Sequence, residues 1–235
     1  VAEAYTGDVR VGGPSDVRVL DELELRKVAV GPMANDAYLL TCRREGAQLL
    51  VDAAADADRL LALVGEADAS TRLDVVVTTH RHHDHVGALA GVVAVTGARA
   101  LSGVDDADDV AATTGVAVGR LHNGDVVTFG RIALEVVALR GHTPGSIALV
   151  YREPSRVRAR GARPDRAHIW TGDSLFPGGV GRTTGPDDFA TLYDDVVGRL
   201  FDRFDDDTWI YPGHGADTTL GRERPDLGAW RARGW

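Results

Sequence analysis

The 235-residue chain predicts an α/β protein, a single domain over 1–235 built on two β-sheets packed face to face with helices outside. Three observations carry this. Strand-like runs come in two batches, each interleaved with helical stretches. The runs are short, rich in β-branched residues and punctuated by Gly, Pro and Asn. Composition is that of an ordinary globular protein, 44% hydrophobic and 26% charged, with no apolar run long enough to cross a bilayer. Helices laid on one mixed sheet would read almost the same, so periodicity alone leaves both arrangements open.

In chain order, LELRKVAV (23–30), AYLLTC (37–42) and AQLLVDA (47–53) alternate with breaks such as GPMAND, the pattern of a strand meander. From Asp56 onward, Leu60, Leu61, Leu63 and Val64 suit one face of a helix capped by Asp56 or Asp58. LDVVVTT (73–79) is too short for an ordinary helix and predicts a buried strand, and VGALAGVVAVTGA (86–98) predicts a helix. GRIALEVVAL (130–139), SIALVYR (146–152), AHIWTG (167–172) and DTWIYPG (207–213) predict strands, with DDFATLYDDVVGRLFDRF (187–204) an amphipathic helix between the last two.

Two acidic stretches, 105–109 and 205–207, read as solvated helix ends or turns without function. REPSRVRARGARPDRA (152–167) carries six arginines and two acids. It reads as the mobile tip of a hairpin, about 17–20 Å, one strand length, from the ends that carry His142 and Asp173. Residues 216–235 form a short C-terminal tail, whose Trp230 and Trp235 are expected to pack onto the body or onto a second copy of the chain, leaving a homodimer open.

The formal net charge of −9 repels phosphate backbones and argues against a nucleic-acid partner, as the lack of a membrane-length apolar run argues against a membrane. Cys42 is the single cysteine, so there is no internal disulfide. The opening VAEAYTGDVR lacks a basic-then-apolar secretory pattern, and a reducing cytoplasm is the expected location. Cys42 lies in a strand and reads as a buried structural thiol, because a reactive thiolate needs a cationic, accessible setting.

The chemistry concentrates in HRHHDH (80–85), which holds four of the eight histidines and follows the strand LDVVVTT. Residues on one helix face recur three or four apart, and this spacing is tighter. It predicts a tight loop whose side chains splay toward two neighbouring metal ions, although a solvent-exposed His-rich turn would look the same in isolation. Three more candidates repeat the local design. His142 follows LEVVALRG, Asp173 follows AHIWTG and His214 follows WIYPG, each just past a strand, with Gly141, Gly172 and Gly213 immediately before them. Glycine permits tight turns and close approach to an ion, and imidazole and carboxylate ligate zinc and related first-row metals. Structural zinc sites are usually closed by four ligands with several cysteines, so a cluster of imidazoles and carboxylates without cysteine points to catalysis.

His80-x-His82-x-Asp84-His85, followed in order by GHTPGS, TGDSLF and YPGHG, resembles the metallo-β-lactamase fold hydrolases over roughly residues 25–225. Within them, TGDSLFPGGVGR and YPGHGADTTLGRER are similar to the glyoxalase II (hydroxyacylglutathione hydrolase-like) group, which hydrolyses thioesters. The resemblance implies a four-layer αββα sandwich of two mixed sheets. It also implies two divalent metal ions, one held by His80, His82 and His142, the second by Asp84, His85 and His214, with Asp173 bridging; Asp84 and Asp173 are the carboxylates on which catalysis depends. Zinc is the expected metal, with iron or manganese as alternatives. Two ions about 3.5–4 Å apart lower the pKa of a shared water, and the bridging hydroxide is expected to attack the carbonyl of a small-molecule thioester. His83 falls at the variable position of the motif, while His122 and His168 lie outside it and are expected to be structural.

Persulfide dioxygenases share the resemblance and hold one iron with two histidines and a carboxylate, here His80, His142 and Asp173. The complete His214 motif favours two metals. Lactone hydrolysis, which uses the same metals, is a further alternative. Glyoxalase II proteins continue into a helical substrate-binding domain, whereas about twenty residues follow His214 here. Arg222 and Arg224 in that tail, with Arg182 in GVGRT, are the candidate contacts for a carboxylate-bearing thiol.

Overall fold

A computed structural model describes residues 5–67 and 70–234. The first sheet runs, in spatial as in chain order, β1 (Asp16–Val19), β2 (Leu23–Val30), β3 (Asn35–Cys42), β4 (Ala47–Val51), β5 (Arg72–Thr78), β6 (Arg99–Gly103) and β7 (Val118–Leu121). Its pairs are antiparallel up to β4 and parallel from there on. The parallel half needs crossovers, supplied by α1 (Ala57–Val64), α2 (His83–Val86) with α3 (Leu89–Thr96), and α4 (Ala107–Thr114).

The second sheet is made of β8 (Val126–Phe129), β9 (Ile132–Ala138), β10 (Ile147–Arg152) and β11 (Ala167–Gly172), extended beyond β11 by two later strands. After β11 come a small hairpin, β12 (Leu175–Phe176) and β13 (Gly179–Val180), and then α5 (Pro186–Val196), which ends in a π-helical turn, Val197–Phe201. β14 (Trp209–Pro212) pairs parallel to β11, β15 (Thr218–Thr219) follows, and the chain closes with α6 (Leu220–Glu223) and α7 (Leu227–Arg233).

Two sheets, not one, form the molecule. Between them lies a core of Leu25, Leu40, Leu49, Val75, Leu134, Val136, Leu149, Trp170 and Tyr211. Outside the first sheet, Leu60 and Leu63 of α1 and Leu89 and Val92 of α3 pack on Leu39, Leu50 and Val76. Outside the second, Leu192, Val196 and Trp230 pack on Val137, Ala148 and Ile169. The order of layers is αββα.

The predicted strands fall at or within a residue or two of their observed bounds. Asp56 does precede α1, but in a left-handed conformation (φ 52°) and without capping it, because its carboxylate accepts the Gly31 N–H instead. β1, β6, β7, β8 and α4 lie outside the predicted elements, being short or weakly patterned. In the tail Trp230 is buried, edge-on to Phe201 at 6.1 Å, while Trp235 lies outside the described residues. Cys42 is buried, as expected of a structural thiol.

The sheets are stitched together at one end. Asp36 N–H donates to Gly213 O (2.7 Å), Tyr38 Oη–H to Pro212 O (2.7 Å) and Ile147 N–H to Thr79 O (2.9 Å). Buried Lys27 pairs with Asp36 (3.0 Å) and Asp217 (2.8 Å) and donates to Gly215 O (2.7 Å), which fixes the segment after His214 against the first sheet.

Candidate metal centre

The stitched end gathers all seven sequence-selected side chains. His80 follows β5 and His82 precedes α2, while Asp84 and His85 lie on α2 itself. His142 stands in the β9–β10 loop, Asp173 after β11 and His214 after β14. The tight loop expected for HRHHDH is therefore half helix. One turn, His83–Val86, carries Asp84 and His85 inward and leaves His83 in solvent, with 84% of its side chain exposed.

The ligand-type atoms of His80, His82 and His142 lie within 4.8 Å of one another, as do those of Asp84, His85 and His214. A third group of the same tightness, His80, His85 and Asp173, joins the two. His142 Nε2 is 3.2 Å from His80 Nε2 and 3.8 Å from Asp173 Oδ2, and His214 Nε2 is 3.5 Å from Asp84 Oδ2 and 3.6 Å from Asp173 Oδ2.

Two buried atoms in this cluster, His85 Nε2 and Asp173 Oδ1, have no hydrogen-bond partner and face each other at 3.4 Å. A buried polar atom left unsatisfied costs about 1–3 kcal/mol. A divalent cation between them would satisfy both, and five imidazoles with two carboxylates and no thiolate suit zinc, iron or manganese. The residues present fit such ions.

Backbone geometry keeps the space open. A Cβ on Gly213 would lie 2.2 Å from Asp173 Oδ1 and 2.7 Å from His85 Cε1, so any larger residue would occupy the centre. Gly172 holds φ +48°, and a Cβ there would lie 2.4 Å from Thr79 Oγ1.

A ring of hydrogen bonds orients the imidazoles. His85 Nδ1 meets Asp52 Oδ2 (2.8 Å), His142 Nδ1 meets Arg182 O (2.6 Å), His214 Nδ1 meets Met33 O (3.2 Å) and His80 Nδ1 meets Thr79 Oγ1 (3.1 Å). Each such bond leaves the opposite ring nitrogen, Nε2, to face the centre. Asn35 Nδ2–H donates to Asp84 Oδ2 (2.9 Å).

Electrostatics divide the histidines. Burial, reinforced by His85, His142 and His82, holds His80 well below the ordinary imidazole range, and burial with His142 lowers His82. Both shifts favour the neutral ring that ligation requires. Burial also opposes protonation of His85, but Asp52 and then Asp173 outweigh it and lift His85 to about 10. For Asp173 burial pushes upward, and the contact with His85 overrides it, leaving the carboxyl below its ordinary value.

Three supporting residues escaped the sequence reading. Asp52 is buried just past β4 at φ 58°, where it accepts from Thr79 N (2.7 Å), Thr79 Oγ1 (2.8 Å) and the His85 ring. Its place after a strand was the available signal. Asn35 gave none. Asp106, assigned to a solvated acidic stretch, is fully buried instead. It accepts from Thr143 Oγ1 (2.6 Å) and Gly145 N (2.9 Å) in the His142 loop and from Arg81 N (3.0 Å) between His80 and His82, so one carboxylate ties two ligand-bearing segments together.

The arginine expectations fare differently. Arg224 is committed elsewhere, donating to Asp206 Oδ1 (2.6 Å), Phe201 O (2.8 Å) and Phe204 O (3.1 Å), so as a substrate contact it is corrected to a structural clamp. Arg182 serves the centre through its carbonyl, its side chain being exposed, and Arg222 is exposed on α6. Among the described residues no hydrogen bond or ion pair joins any of these three guanidinium groups to the cluster. His168 is internal, bonded to Tyr211 Oη (2.7 Å) and Glu153 Oε1 (3.0 Å), and His122 is exposed in its turn; neither joins the centre.

Residues 30–159, more than half of the chain, match the family described as the metallo-beta-lactamase superfamily. The chain belongs to this superfamily. Among metallo-beta-lactamase relatives, the hydroxyacylglutathione hydrolase of Polaromonas sp. is 33% identical over 204 residues, covering 84% of this chain and 70% of the relative. The human persulfide dioxygenase ETHE1 is 34% identical over 182 residues, 75% of this chain and 62% of the relative. The solved structure of TTHA1623 in a di-iron-bound form superposes with a TM-score of 0.62 at 31% identity, over 84% of this chain and 96% of that one. The superfamily fold is the αββα sandwich read from the sequence. Among the described residues no helix is long and apolar enough to cross a membrane.

Proposed function

We propose that this chain is a metal-dependent thioester hydrolase with a two-metal centre, His80, His82 and His142 holding one ion, Asp84, His85 and His214 the other, and Asp173 shared. The observation that carries the reading is the pair of partnerless buried atoms, His85 Nε2 and Asp173 Oδ1, lying where the two three-ligand groups meet. Relatedness to a hydroxyacylglutathione hydrolase supports an S-acyl thiol as substrate, and the di-iron form of TTHA1623 supports double occupancy.

Bound divalent ions supply Lewis acidity, making hydroxide available near neutral pH and polarising a carbonyl. The protein's part is to hold the ligands. Asp52 fixes the His85 ring, the Arg182 carbonyl fixes His142, Met33 O fixes His214 and Asn35 steadies Asp84. A thiolate departs without a protonated side chain to assist it, in keeping with a centre whose histidines and aspartates all serve as ligands.

The relationship to a persulfide dioxygenase favours a second reading, one iron on His80, His142 and Asp173. Convergence of His82, Asp84, His85 and His214 on the same centre supports the two-metal reading over it. Lactone hydrolysis would draw on the same ligands.

The test is thiol release from an S-hydroxyacyl thiol, followed with a thiol reagent. Turnover is expected to vanish with a chelator and return with zinc, and Asp173→Ala should lose both activity and metal. A fully metallated, active Asp173→Ala protein would contradict the proposal, as would oxygen uptake with a persulfide in the absence of any thioester hydrolysis.

A further inference from the structure

At the opposite end of the second sheet lies a cleft of about 1000 Å³, at the upper end of small-ligand sites. Arg166, at its edge, stands seven residues before Asp173 along β11, roughly 20 Å at the rise of a strand. The cleft is therefore separate from the metal centre. Its wall is formed by the edge strand β1 on one side and the β10–β11 hairpin tip on the other.

The tip is anchored, contrary to its reading as a mobile loop. The Asp21 carboxylate accepts Arg158 N–H (2.8 Å) and Ala159 N–H (3.0 Å), which pulls the hairpin onto the first sheet and sets the width of the cleft.

Five arginines line it: Arg18, Arg43, Arg158, Arg160 and Arg166. Two are built into the wall. Arg18 is held over the Trp209 ring (3.7 Å) and the Tyr5 ring (4.2 Å) and donates to Tyr211 Oη (2.8 Å). Tyr211 continues through buried His168 to buried Glu153, which anchors Arg166 at 2.7 Å. Arg43 lies along the carbonyls of Leu20 and Asp21. Among the described residues, no ion pair engages the guanidinium of Arg18, Arg43, Arg158 or Arg160. Asp21 is the one carboxylate among the lining residues, its charge held by the two N–H groups, and Glu153 stands behind Arg166. Arginine is thus in excess at the cleft, five guanidinium groups against Asp21 in the lining, Glu153 behind Arg166 and Asp217, shared with Lys27, behind Tyr5 and Arg18, in a chain whose net charge is −9.

We propose that this cleft binds a small metabolite carrying two phosphate groups. Two phosphate monoesters bring about −3 to −4 at neutral pH, enough to neutralise that excess, and guanidinium forks suit phosphate oxygens. A single inorganic phosphate would leave most of the cleft's volume unfilled. Trp209 and Tyr5 already have Arg18 against their rings, so recognition rests on the charged groups and accepts either a sugar or a nucleoside scaffold.

The test is calorimetric titration of the full, metal-loaded chain at low salt with fructose 1,6-bisphosphate and with adenosine 3′,5′-bisphosphate, and inorganic phosphate as reference. One-site binding of at least one bisphosphate is expected, with Kd on the order of 10–100 μM. Arg158→Ala combined with Arg160→Ala, both exposed, should weaken it about tenfold or more. Arg120→Ala with Arg131→Ala removes the same charge from elsewhere on the surface and should leave binding unchanged. Which bisphosphate binds identifies the scaffold. The proposal is overturned if neither saturates below about 1 mM, if both double variants lose binding equally, or if Arg158→Ala/Arg160→Ala binds as the parent does. Thiol release by the same double variant, expected unchanged, separates failure here from failure of the hydrolase reading.

Discussion

Replacing Asp52 with asparagine isolates what holds one half of the metal centre. The carboxylate accepts three hydrogen bonds, from Thr79 N, Thr79 Oγ1 and His85 Nδ1, at 2.7–2.8 Å. Asparagine has the same shape but only one acceptor oxygen, so its NH₂ must face one of those three donors. It also removes the negative charge that makes the His85 ring a better ligand. Loss of such a supporting carboxylate weakens metal binding by about 10–100-fold, or about 1.4–2.7 kcal/mol. The loss should fall chiefly on the Asp84, His85 and His214 position, because Asp52 reaches the His80, His82 and His142 position only through Thr79 Oγ1, which bonds both Asp52 and His80 Nδ1. Zinc titration against a chromogenic chelator at pH 8, fitted to two sites, reads both constants. One constant weakened about tenfold or more beyond the other is the expected result. Two unchanged constants, or two weakened equally, would refute the division of labour.

Further outcomes follow from the same geometry. Because Asp52 and Asp173 lift His85 to about 10, a proton must leave that ring before an ion can bind, so affinity at its position should fall about tenfold per pH unit from pH 8 to pH 6. His80 and His82 are shifted downward instead, so the slope at their position should be shallower, and chelator titrations at each pH would expose the difference. Asp106→Ala strands Gly145 N and Arg81 N and leaves Thr143 Oγ1 only Ser146 Oγ, and should weaken the His80, His82 and His142 position about tenfold while sparing the other, the reverse of Asp52→Asn.

The strands and the identities of the clustered side chains were legible because both rest on local signals, β-branched runs of strand length and metal-type side chains just past strand ends behind glycines; the choice of two sheets over one came from the motif resemblance, since periodicity reads the same for both. The supporting residues were harder to see. Asp106 sits in DDADD, and nothing in that run distinguishes it from Asp105 or Asp108; only the fold brings it under Thr143 and Gly145. Asn35 acts across the two sheets, 179 positions before His214, a distance at which sequence pattern carries no information. The helical turn under Asp84 and His85 was missed because four residues are too few to show a period. Arg224 looked free because a guanidinium bound to carbonyl oxygens and one reaching into solvent read identically from sequence.

The central claim is that two three-ligand groups sharing Asp173 hold two ions. Elemental analysis of protein purified without added metal tests it most directly. About two first-row ions per chain are expected, with zinc the principal metal. One iron per chain, with no second ion taken up on adding zinc, would contradict it.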